Sequence, residues 1–248
     1  MKKINQKILI IILLTRFCYS QENYSIIYKT YPTYGSIEGE EVIKNSKVNY
    51  IYKGLDQAIK ITEFQLDINR NESFFYFKDK LYEDEKIKRL AKSFCGSSDF
   101  YINTEKNLKI KINYFAEKKY FINDTTRYDW TIHNESKMID NKPCYKATTI
   151  KRTLINDVIK EKEIVAWFYP EIPISFGPKG YDGLPGLIME LQDDKVTFVV
   201  SQILKDSKIK ISKQDLTNVI SEKKYIEIVR KENEEFLKSI GLSEIPKK

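Results

Sequence analysis

The chain has 248 residues, 42% of them hydrophobic and 31% charged, with a formal net charge of +7 and one histidine, His133. That length suits one β-rich domain or two small ones. A single histidine leaves no cluster of the kind a metal centre uses, because such centres gather His, Cys and carboxylates around one ion.

Residues 1–20 read as a secretory signal peptide. Lys2, Lys3 and Lys7 form a basic start, Ile8–Leu14 is an unbroken apolar run, and Cys18 and Ser20 put small side chains at the −3 and −1 positions of a cut before Gln21. The apolar run is short for a bilayer span, which weighs against the alternative of an anchor that stays attached. A lipoprotein signal wants a small residue before its cysteine, and Arg16-Phe17 precede Cys18. The expected product is exported, periplasmic or extracellular, and not lipidated. No other stretch is apolar for long enough to be a transmembrane helix. Taking Lys2, Lys3, Lys7 and Arg16 from the 42 basic residues leaves 38 against 35 acidic ones. Much of the basicity is therefore an export feature, and no nucleic acid partner is expected.

Residues 21–248 read as a single domain, with no Pro/Ser/Gly-rich linker, charge block or repeat. Its 17 tyrosines and 13 phenylalanines, with β-branched residues in short alternating runs, predict a mainly β (α+β) fold. The expected form is a single antiparallel sheet, strongly curved or an open half-barrel. The first strands are Ser25–Tyr31 and Ala58–Ile68. In the second, the apolar phase changes between Ile61 and Phe64, predicting a bulge near Thr62 or Glu63, or a strand covered on both faces. Ser73–Lys78 follows the turn Asn69-Arg70-Asn71, and its four successive aromatics can face both ways.

A short helix is predicted near residues 82–94, where Ile87, Leu90, Ala91 and Phe94 share one face. Acidic Glu83, Asp84 and Glu85 lie early in it and basic residues late, as the helix dipole favours. Strands are then expected at Asp99–Asn103, Leu108–Phe115, Lys119–Asn123 and Tyr128–Asn134. In the last of these Tyr128, Trp130 and Ile132 alternate with polar residues, as on a sheet with one apolar face. Pro143–Thr153 and Val158–Tyr169 form a pair around Asn156-Asp157, and Leu187–Asp193 and Lys195–Lys205 another around Asp193-Asp194. Ser221 caps a closing helix through Ile240, with Gly241 as its C′ residue.

The stretch Trp167–Leu191 concentrates four of the seven prolines and four of the nine glycines. Proline and glycine together permit a backbone path that ordinary residues could not follow. Its words Gly183-Leu184-Pro185-Gly186-Leu187-Ile188, with Trp167, Pro170, Glu171, Pro173, Gly177 and Pro178 before them, resemble the signature of the GLPGLI family. Trp130, Ile132, Lys137, Ile139, Cys144, Lys146 and Ala147 extend the resemblance to residues 128–192, with Asn141 where the family has glycine. The resemblance implies an exported or envelope protein of Gram-negative bacteria, of a family for which no activity is established. Leu184-Pro185-Gly186-Leu187 also has the residues of a type II turn, with Gly186 at positive φ.

Chemistry is sparse. A Ser-His-Asp hydrolase would hang on His133, with no G-x-S-x-G elbow or H-E-x-x-H helix in support. The glycine-rich stretch lacks the G-K-[ST] ending of a phosphate-binding loop and places prolines where amide donors are needed. Neither a cofactor nor a metal is expected. Cys95 and Cys144 would remain after export, either as a disulfide or as two buried thiols that never meet. Two functions stay open. One is a non-catalytic binding module for an apolar ligand or an outer-membrane protein, using the signature loop with Trp167 and Tyr181. The other is a hydrolase using Glu171, Asp182 and Glu190.

Overall fold

The computed structural model describes residues 23–33, 55–79, 85–155, 158–205, 208, 210–211 and 214–239. The signal peptide, the Asn156-Asp157 turn and Gly241 lie outside the described residues. Twelve strands form one sheet: β1 (Tyr24–Pro32), β2 (Glu63–Asn69), β3 (Glu72–Lys78), β4 (Asp99–Asn103), β5 (Leu108–Phe115), β6 (Lys118–Asn123), β7 (Thr131–Ile139), β8 (Lys142–Ile155), β9 (Val158–Tyr169), β10 (Leu187–Asp193), β11 (Val196–Lys205) and β12 (Val219–Ser221). Their order is β12-β6-β5-β4-β3-β2-β1-β11-β10-β9-β8-β7, so β12 and β7 are the two edges and the sheet is not closed. Among the described residues three helices accompany it: α1 (residues 55–61), α2 (Glu85–Cys95) and α3 (Glu222–Ser239). No helix among the described residues is long and apolar enough to cross a membrane.

The sheet is mixed, which corrects the antiparallel expectation. β12 runs parallel to β6, pairing Val219 with Phe121 and Ile220 with Ile122. After β11 the chain does not return by a hairpin, which would force an antiparallel partner. It crosses to the far edge, and a crossover allows the parallel direction. The phase change between Ile61 and Phe64 is also resolved differently. It marks a helix-to-strand junction, with Ala58 and Ile59 buried in α1 and Phe64 and Leu66 buried in β2. Thr62 closes α1 by donating its hydroxyl to Ala58 O at 2.7 Å and its amide to Ile59 O at 3.0 Å.

The aromatic run in β3 does face both ways. Phe75 stacks on Phe64 with centroids 5.1 Å apart and meets Phe198 edge-on, while Phe74 and Tyr76 stack on each other. Such pairs add to the burial energy of their rings. The residues Tyr128 to Trp130 precede β7 instead of opening it, and Ile132 is 53% exposed. The edge position explains this: β7 pairs only with β8, across a bulge between Ile132 and Ser136. Asp140 and Asn141 both take positive φ at the β7–β8 turn, a conformation that short polar residues tolerate, so the hairpin forms without a glycine. Ser221 caps α3, accepting the Lys224 amide at 3.2 Å.

Candidate functional site

Between β9 and β10 the chain folds back on itself. Phe176 bridges Asp182, a single 3-10 turn spans Pro178–Gly180, and Leu187 donates its amide to Ile172 O at 2.9 Å. Most apolar side chains of this loop point inward: Ile174, Phe176, Tyr181, Leu184, Leu187 and Ile188 are all buried. Pro170, Glu171, Pro173, Gly183 and Pro185 are exposed.

The expected type II turn is not formed. The positive-φ glycines of the loop are Gly180 and Gly183, and Gly186 is not among them. Gly186 serves close approach instead. A β-carbon there would collide with Tyr169 O and lie 2.7 Å from Pro170 Cα, so only glycine lets β10 begin against the end of β9.

The separate words of the sequence pattern meet around this loop. Trp130 donates its indole N–H to Asp182 O at 2.8 Å. Tyr128 stacks on Tyr181 with centroids 4.4 Å apart, and Trp130 lies 6.2 Å from the same ring. Lys137 sits 4.4 Å above the Trp167 ring and pairs with Glu190 at 2.7 Å. Trp167 is therefore covered by a lysine, and Glu190 is a half-buried partner of that lysine. The other carboxylates have separate partners as well: Glu171 accepts the Tyr169 hydroxyl, and Asp182 pairs with Lys109 at 3.3 Å. Burial raises the Asp182 carboxyl above its ordinary range, against the opposing pull of Lys109. Lys109 also lies 4.4 Å over the Tyr128 ring.

Cys95 and Cys144 are buried, free thiols. Cys95 faces the Thr30 hydroxyl at 3.6 Å, and Cys144 contacts Lys142 O at 3.4 Å. Of the two readings open from sequence, separate thiols is the one found. His133 places Nε2 at 2.8 Å from Thr148 Oγ1 on the neighbouring strand.

A charge cluster that sequence reasoning missed lies under the loop. Asp193, 4% exposed at the end of β10, pairs with Lys179 at 2.5 Å and Lys151 at 3.3 Å. Burial pushes its carboxyl up, but the two ammonium charges outweigh that and hold it below the ordinary carboxylate value. Burial lowers Lys151, which Asp193 only partly offsets. Tyr181 is packed beside the same carboxylate, and burial and that charge both push its hydroxyl up. Lys179 reaches Asp193 from a left-handed backbone (φ 55°, ψ 28°), which is uncommon for a residue with a side chain. The only sequence signal was its place in Pro178-Lys179-Gly180. Asp193 looked like an ordinary turn residue.

Beside this cluster opens a cleft of about 670 Å³. Phe100, Ile122, Tyr128 and Ile226 give it apolar surface, and Lys111, Lys151 and Lys179 reach it from β5, β8 and the 3-10 turn. None of the loop residues singled out from sequence lines it. Asp182 lines instead a smaller polar cleft of about 310 Å³ with Lys109, Asp124 and Arg127.

A family model described as a protein of unknown function, Porph_ging, matches residues 152–190, from the end of β8 into β10. No curated protein matches the chain. The solved structure described as PNGF-II in the C2 space group is similar at 15% identity and a TM-score of 0.49, over 85% of this chain and 33% of that one. The chain thus spans about a third of the length of that structure.

Proposed function

We propose that the chain is an exported, non-catalytic binding module of the GLPGLI type, which holds an apolar or amphipathic small molecule in the 670 Å³ cleft beside the loop. The observation that carries this reading is the apolar lining of Phe100, Ile122, Tyr128 and Ile226 in a cleft of small-molecule size. The family match at residues 152–190 falls inside the stretch that resembles the GLPGLI pattern, which supports that relationship. The leader-like residues 1–20 support export to the periplasm or beyond, where an outer-membrane protein could exchange the ligand.

Curvature of the open sheet belongs to the same proposal. β5 and β8 stand eight places apart in the strand order, about 38 Å in a flat sheet, yet Lys111 and Lys151 line one cleft. A half-barrel course with the cleft on its inner side accounts for this. Hydrolysis at the loop would require Glu171 and Asp182 to share a water, whereas their side chains are engaged by Tyr169 and Lys109.

The test is uptake of the apolar fluorescent probe 1-N-phenylnaphthylamine by the folded chain. Saturable uptake is expected, and Ile226→Glu should weaken it, because Ile226 is 48% exposed on α3 and can change without unfolding the core. Folded wild-type protein that takes up no apolar ligand would sink the reading.

A further inference from the structure

The cleft is not neutral. Lys111, Lys151, Arg152, Lys179, Lys223 and Arg230 line it, against Asp124, Glu222 and Glu227. At its floor the imbalance is sharpest, because Lys151 and Lys179 share one buried carboxylate, Asp193. Two half-buried ammonium groups against one buried carboxylate leave an excess positive charge, which a counter-charge in the cleft would stabilise. Lys111 adds a third cation, paired at 3.5 Å with Glu222, which is itself largely exposed. Arg230, on α3, brings to the lining a guanidinium whose planar donors match the oxygens of a carboxylate or phosphate.

The cations are held in place and not left to wander. Gly180, at φ +73°, lies so close to Phe100 that a β-carbon would meet its ring at 2.6 Å, which locks the 3-10 turn carrying Lys179 onto β4. Lys151 is fixed by the long β8–β9 pairing, opposite Lys162. Phe100 and Ile122 flank Lys111 across the sheet, and Ile226 lies one helical turn from Arg230, so apolar lining borders the charges directly.

Resting on the binding function proposed above, we infer that the ligand is an anionic amphiphile. An acidic headgroup, carboxylate or phosphate, sits against Lys151, Lys179, Lys111 and Arg230, and an alkyl tail covers Ile226 and the accessible part of Tyr128. The headgroup supplies the counter-charge that the floor lacks, and the tail removes apolar surface from water.

Calorimetric titration of the full chain with decanoate, decyl phosphate, decanol and inorganic phosphate tests this. Decanoate and decyl phosphate should bind at least about tenfold more tightly than decanol, with affinity falling as salt rises. Arg230→Gln, a change on the exposed side of α3, should weaken both anions by about tenfold and leave decanol unchanged. Lys151→Gln should do the same, and Arg230→Gln keeps the test readable should the buried change unfold the protein. Decanol binding as tightly as decanoate would overturn the anionic assignment while leaving the apolar binding function standing. Inorganic phosphate binding as tightly as decyl phosphate would overturn the amphiphile. No binding by any of the four would overturn both readings.

Discussion

Lys179 and Asp193 form a 2.5 Å ion pair between the signature loop and the end of β10, and the Asp193 side chain is only 3% exposed. Replacing Asp193 by Asn removes the buried carboxylate that serves Lys179 and Lys151, leaving two half-buried ammonium groups to repel each other. Breaking a buried pair in this way costs about 3–5 kcal/mol. Urea unfolding of Asp193→Asn beside wild type measures it. An unchanged midpoint would show that the cluster does not hold the loop to the sheet.

The same group sets an acid limit. Asp193 has its carboxyl held below the ordinary value of 3.8, so its contribution to stability is complete above that value. The contribution is lost as pH falls through the lower, folded value. Asp99 and Asp182, raised by burial, act in the opposite sense, gaining stability as pH falls into the window above 3.8. The difference between wild type and Asp193→Asn isolates the first effect. It should shrink as pH falls below about 4, and a difference constant down to about pH 2 would contradict it.

Gly186→Ala should destabilise by about 1–3 kcal/mol, because the new β-carbon meets the backbone of Tyr169 and Pro170, which no side-chain rotation relieves. Gly183→Ala meets only open space near Trp130, with its nearest atom at 3.9 Å, and should cost about 1 kcal/mol through its φ of +91°. Denaturant midpoints rank the two. A larger loss at Gly183 would mean that backbone conformation, not close approach, governs the signature.

Trp130→Phe keeps an aromatic ring beside Tyr181 but deletes the donor to Asp182 O. A loss of about 1 kcal/mol is expected for that hydrogen bond. Loop residues that unfold no earlier in the variant than in wild type, by amide hydrogen exchange, would show that Trp130 does not tie residues 128–130 to the signature.

Cys95 and Cys144 are buried, and burial pushes both thiols up to about 11. Both should resist an aromatic disulfide reagent at neutral pH in the folded chain and react quickly in denaturant. Peptide mass mapping locates the labels. A Cys95–Cys144 disulfide in native protein purified from an exporting host would contradict the free thiols.

Local chemistry determined most of the strands and two of the helices. Alternation such as Phe64-Leu66-Ile68 and turn residues such as Asp193-Asp194 act over a few residues, so β5, β9 and β10 could be bounded from sequence alone. The cost of Asn141 at positive φ is local too, and so is the cap at Ser221. Where two local patterns compete, sequence misled: Ala58–Ile61 alternates like a strand yet folds as α1, because the buried sites for Leu55 and Ile59 lie in the main core. Strand direction was also beyond reach, since β12 joins β6 from more than ninety residues away. The cleft depends on the same long range. Lys151, Lys179 and Asp193 fall in a strand, a loop and a turn by sequence, and only the tertiary structure buries one carboxylate between two lysines. Charge pairing across such distances leaves no period or spacing in the chain, so folding alone brings the site together.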